Sequence, residues 1–180
     1  MTKLNVIEIP NPILYQKAKE VKEVTPEIQT LLSDMLETMY KTNGVGLAGN
    51  QVGVLKRVVV IDCAAKDEEP DPIKMANPKI TFKSEEMVCH NEGCLSIPRE
   101  YADVIRHESV TVEYLDENGL KQERTATGLL AIAIQHELDH LEGILFIDHL
   151  SALKRKMLLK HLEKGVKNKL SNLNYQKNNF

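Results

Sequence analysis

The feature that most constrains this chain is Gln135-His136-Glu137-Leu138-Asp139-His140, entered directly from Gly128-Leu129-Leu130-Ala131-Ile132-Ala133-Ile134. Apolar residues in that entry cover every side of a helix, and a helix apolar all round is a buried one. His136 and His140 are four residues apart, so both rings leave one face with an axial rise of about 6 Å. His136, Glu137 and His140 therefore sit as ionisable groups at the end of a buried helix, where uncompensated burial is costly. A divalent metal supplies the compensation: two imidazoles close on one ion, and Glu137 reaches a water on its free side. The bare H-E-x-x-H pattern also arises on solvated helix faces, and it is the buried flank that argues against that here.

A metal site of this kind needs a third protein ligand, with one position kept for water. Cys94, in Asn91-Glu92-Gly93-Cys94-Leu95-Ser96-Ile97-Pro98, is one candidate; Glu142 and Asp139 are the others. Asp139 points to another side of the helix from His136 and is the weaker of these. A thiolate would suit iron or zinc as a soft donor.

Other functions are excluded on simpler grounds. A chain of 180 residues with 42% apolar and 27% charged residues fits one domain with a sizeable core. The net charge of −3 gives no reason to expect nucleic acid as a direct partner. The start lacks an apolar run long enough for a signal peptide, and no stretch reads as a membrane span. Cys63, Cys89 and Cys94 form no disulfide pattern, which points to a reducing, cytoplasmic setting. Residues 1–170 are expected to form the domain, and 171–180 a polar, frayed tail.

Along the chain, residues 5–15 read as an extended segment broken by Pro10 and Pro12. Thr25 and Pro26 start a helix whose Ile28, Leu31, Leu32, Met35, Leu36 and Met39 form one apolar stripe, ending near Asn43-Gly44. Residues 44–53 read as a small-residue loop around the amide of Gln51; the stretch lacks the G-K-[ST] of a phosphate loop. Residues 57–62 form a strand, closed by Cys63 as a small buried hydrophobe. Residues 66–72 are a polar loop, and Ile73 to Phe82 a strand interrupted at Asn77-Pro78. Asn118-Gly119 between residues 110–115 and 120–127 signals a hairpin. The metal helix spans about 128–142. Ile144 to Ile147 is a short extended piece, and Ser151 caps a last amphipathic helix with many Lys on one side. The expected class is α+β, with antiparallel or mixed sheets around a buried central helix.

Three stretches together, Gly44–Gln51, Glu92–Ser96 and Gln135–Leu141, resemble the three motifs of peptide deformylase, in order and separation. The likeness extends over nearly the whole chain. Glu-Gly-Cys-Leu-Ser and Gln-His-Glu-Leu-Asp-His match fully; the first motif departs at Gly49, where the family usually has Ala. The resemblance implies hydrolysis of the N-formyl group from N-formylmethionyl nascent peptides, releasing formate. It assigns the metal ligands to Cys94, His136 and His140 and leaves Glu142 a supporting or surface role. It implies one divalent ion, ferrous iron natively, with zinc, nickel or cobalt as alternatives. Glu137 becomes the proton carrier, while Gln51 and the Leu95 backbone N–H face the carbonyl oxygen. Val45, Gly46, Leu129, Ile132 and Ala133 become the substrate-binding wall. His90 falls where many relatives carry an apolar residue, and Arg106 is placed to pair with Glu92. The alternatives are a metallopeptidase cutting internal bonds, or a non-catalytic relative that binds nascent chains or the ribosome through the Lys-rich last helix.

Overall fold

The computed structural model describes residues 4–65 and 68–177, with side chains to residue 164. It resolves into two compact units, Met1–Phe146 and Ile147–Phe180. The first holds helix α1 (Pro26–Lys41), strands β1 (Gly46–Ala48), β2 (Val58–Ile61), β3 (Ile73–Lys83), β4 (Met87–Cys94), β5 (Ile97–His107), β6 (Ser109–Leu115) and β7 (Lys121–Thr127), and helix α2 (Gly128–Leu141). The second holds helix α3 (Ala152–Lys177).

Five strands form an antiparallel sheet in the order β1-β2-β3-β6-β7; β4 and β5 pair as a separate antiparallel ribbon. Side chains alternate across a strand, so β2 serves two cores at once. Val58 and Val60 pack with Ile28, Leu32, Met35 and Met39 of α1. Val59 and Ile61 pack with Ala131, Ile134, Leu138 and Leu141 of α2. The helices thus cover opposite faces of the sheet, and all four β2 residues are buried. This explains why β2 reads as a continuous apolar run and not as an alternating one. Removing that much apolar surface from water, at about 25 cal/mol per Å², is what holds α2 in place despite its ionisable groups.

Several expectations are met. Helix α1 begins with Pro26 and ends within two residues of Asn43. β3 is interrupted where expected: Asn77 takes a positive φ of 52°, and the register with β6 shifts between Ala76 and Lys79. The β6–β7 hairpin turns at Asn118-Gly119. Other expectations are corrected. The stretch 44–53 is not a plain loop: it holds β1 and a 3-10 turn, Gly49–Val52. Residues 12–15 form a 3-10 turn, with Asn11 Oδ1 accepting from Ile13 N–H at 3.1 Å. Residues 146–149 are likewise 3-10 and not extended. Cys63 is half-buried. The β4–β5 ribbon was not anticipated at all. Helix α3 runs through Ser171 to Lys177; residues 178–180 of the expected tail, and Lys66-Asp67 of the polar loop, lie outside the described residues.

Candidate metal centre and active site

The Ala131–Leu138 stretch is buried throughout, and His136, Glu137 and His140 are at most 8% exposed. The two rings stand edge to face with centroids 5.0 Å apart, and Phe146 stacks on His136 at 6.3 Å. β4 delivers Cys94 to the same place. Its Sγ lies 3.3 Å from His140 Nε2, and the ligand atoms of Cys94, His136 and His140 all fall within 4.8 Å of one another. Asp139 and Glu142 are engaged elsewhere. Asp139 binds Arg106 at 2.5 Å, and Glu142 binds Lys17 and Arg57 at 2.6 and 2.5 Å. The third-ligand choice therefore falls to Cys94.

The donor set fits a divalent cation. Burial alone would raise the Cys94 thiol, but His140 and His136 pull it well below its ordinary value, towards the metal-binding thiolate. His136 uses Nδ1 against Glu92 Oε2 at 2.8 Å, which leaves its Nε2 lone pair for the site. One thiolate and two imidazoles would suit zinc or iron.

Glu92 bonds His136, a contact that the sequence reading does not disclose. Burial would raise its pKa, yet hydrogen bonds from Arg106 and His136 hold it down to about 2. Arg106 grips both its oxygens, Nε at 2.7 Å and Nη2 at 2.9 Å, and donates Nη1 to Asp139. The expected Arg106–Glu92 pair is thus present, and it ties β4, β5 and α2 together. The sequence signal was available: an acid two residues before Cys94 shares its strand face. Gln135 adds a second tie, bonding both N–H and C=O of His107 at 3.0 and 2.8 Å.

Gln51 is 1% exposed and its amide has one orientation. Ala48 N–H donates to Oε1 at 2.8 Å, so Nε2 faces Cys94 Sγ at 3.4 Å and Ser96 Oγ at 3.2 Å. Leu95 occupies the turn between β4 and β5. Glu137 has one oxygen, Oε2, buried without a hydrogen-bond partner among the described residues. Burial, reinforced by the neighbouring Cys94 and Glu92 charges, raises its pKa to about 6 against the pull of the two histidines. Its other oxygen lies against Gly46, where any Cβ would collide with the carboxylate. Gly46 is there to admit Glu137, a reason sequence reading missed. A cleft of about 480 Å³ opens over these groups, lined among others by Val45, Gly46, His90, Leu129, Ile132 and Ala133. Every site residue expected from sequence lines this cleft, except His140, which is buried.

On an α+β scaffold these groups fit one class of protein, the metal-dependent hydrolases. A family model described as polypeptide deformylase matches residues 3–156. A peptide deformylase of Agrobacterium fabrum is 46% identical over 94% of this chain and all of its own length. One of Rhizorhabdus wittichii is 50% identical over 89% of this chain and 93% of its own. The crystal structure of peptide deformylase from Ehrlichia chaffeensis superposes with a TM-score of 0.89, at 36% identity, over 94% of this chain and 99% of that one. The chain belongs to the polypeptide deformylase family, metal-dependent enzymes that remove the N-terminal formyl group from nascent polypeptides.

Proposed function

We propose that hydrolysis of the formyl amide is carried out here by Glu137, Gln51 and the Leu95 backbone N–H, with Cys94, His136 and His140 holding one divalent ion. The observation that carries this reading is the convergence of those three ligand atoms beside the partnerless carboxylate oxygen of Glu137. The bound ion would supply Lewis acidity, making water a competent nucleophile near neutral pH. Glu137 takes the proton from the attacking water and returns it to the departing amine nitrogen, so the formyl C–N bond breaks and formate leaves. Gln51 Nε2 and Leu95 N–H donate to the carbonyl oxygen as it gathers negative charge.

The peptide lies extended beside β1, which is an edge strand paired with β2 on one side. Val45 C=O is taken by Asp62 N–H at 2.9 Å. Alternation along the strand then turns the Gly46 N–H and C=O the other way, towards an added strand. Val45, Leu129, Ile132 and Ala133 take the methionine side chain.

The native ion in this reading is ferrous iron, with zinc, nickel or cobalt able to replace it; metal analysis of protein prepared without oxygen tests that. The catalytic domain is taken as 1–170, the location as cytoplasmic, and the ribosome as a partner met through Lys154, Lys156, Lys160 and Lys164 of α3. Among the described residues no helix is long and apolar enough to cross a membrane. Salt-dependent pelleting with ribosomes tests the α3 contact. For the reaction itself, the protein releases formate from formyl-Met-Ala-Ser, and Glu137→Gln lowers turnover by roughly 10²–10⁴ while retaining the metal. Unchanged turnover in that variant overturns the assignment of Glu137.

A further inference from the structure

His90 stands in the cleft with Val45, Leu129, Ile132 and Ala133, the apolar groups assigned to the first side chain of the substrate. Its strand fixes which way it faces. Along β4 the side chains alternate, and Asn91 turns away to bond Asp103 across the ribbon at 2.7 Å. Glu92 faces the other way, towards His136 of α2, and His90 shares that face two residues earlier. The His90 ring is half-buried and makes no hydrogen bond or ion pair among the described residues. A half-buried ring donor on a cavity wall, unmatched by protein, is available to whatever occupies the cavity.

An imidazole carries at least one N–H donor in either tautomer. A methionine thioether makes poor use of it, being a weak acceptor. Oxidation to the sulfoxide adds a strongly polar, chiral S=O at the same position. A wall made wholly of hydrocarbon would strip that oxygen of water and return nothing. We propose that His90 makes the pocket amphipathic, and that this enzyme deformylates chains beginning with N-formylmethionine sulfoxide as well as N-formylmethionine. The inference rests on the deformylase reading above. One donor on one wall also distinguishes the two sulfoxide epimers, because only one directs its oxygen at the ring.

The test uses metal-loaded full-length protein and measures kcat/KM for formyl-Met-Ala-Ser and for each epimer of its sulfoxide. The quantity read is the sulfoxide-to-thioether ratio in wild type, His90→Leu and His90→Gln. The expected result is a fall in that ratio of about tenfold in His90→Leu, as for one lost hydrogen bond, with the epimer preference lost. His90→Gln, which keeps a donor, holds the ratio within about threefold. Equal ratios in all three proteins, or a common fall on both substrates, overturn the proposal. Absence of wild-type turnover on formyl-Met-Ala-Ser would instead overturn the reading beneath it.

Discussion

The protein contains two long antiparallel hairpins, β4–β5 and β6–β7, built on opposite logic. β6–β7 closes through Asp116-Glu117-Asn118-Gly119, with Asp116 Oδ1 accepting from Asn118 and Leu120 N–H at 2.8 and 3.0 Å. Its outward side chains are solvated: Thr111 bonds Thr125, and Arg124 meets Asp71 at the surface. β4–β5 turns through Leu95-Ser96, with no Gly or Asn at the tip, and buries Glu92 and Arg106 to 4% and 5% exposure. The first hairpin is fixed by its turn; the second is fixed by a charge network shared with α2. That network holds the strand that brings Cys94 to His136 and His140, so in β4–β5 the stabilising contacts and those that shape the candidate site coincide.

The largest test of this contrast is a pair of arginine truncations. Arg106→Ala leaves Glu92 buried without its main partner and costs roughly 3–5 kcal/mol. Arg124→Ala removes an exposed pair and costs about 0–1 kcal/mol. Denaturant unfolding of both variants measures the gap; similar losses would dissolve the distinction. Next in size is Glu92→Gln, which keeps the shape beside His136 and removes the charge. Metal affinity falls by roughly 10–100-fold in a chelator competition, as for a lost outer partner of a ligating histidine. Glu123→Gln in β7 leaves affinity unchanged. Smaller again is Gly119→Ala: Gly119 has φ +76°, so the substitution strains the turn, by about 1 kcal/mol in the same unfolding assay, with metal affinity intact.

The smallest effect is a pH dependence at the β6–β7 turn. Burial slightly opposes ionisation of Asp116, but hydrogen bonds from Leu120, Gln122 and Asn118 outweigh it and lower its pKa. A depressed folded-state pKa means the contribution is present above the ordinary carboxylate value and lost as pH falls through the folded one. Asp116→Asn should therefore flatten the acid side of the stability curve slightly. An unchanged curve would place the turn's stability elsewhere.

The same two hairpins show what the sequence discloses. β6–β7 was legible because an Asn-Gly turn separates two alternating runs. β4–β5 was not, because Pro98 breaks the run and the buried positions are charged, which inverts the usual apolar-in pattern. β1 was hidden for a related reason: Gly46 is small to admit Glu137, and glycine reads as loop. α1 and α2 were visible because burial on one stripe, or on all sides, leaves a periodic mark. In the site, the two histidines and Glu137 follow from spacing, whereas the third ligand does not. Spacing left Cys94, Asp139 and Glu142 open, since only tertiary structure shows the two acids occupied by Arg106, Arg57 and Lys17.

Gly49 carries a consequence for how this sequence can change. A Cβ there would lie 2.7 Å from the carbonyl oxygens of both Val54 and Lys56, atoms of the main chain that cannot swing aside as a side chain does. Alanine at position 49 is therefore not a neutral substitution in this structure. The 54–56 path would have to move outward to admit a Cβ, so a loop graft that brings a larger residue to position 49 must carry the 54–56 segment with it.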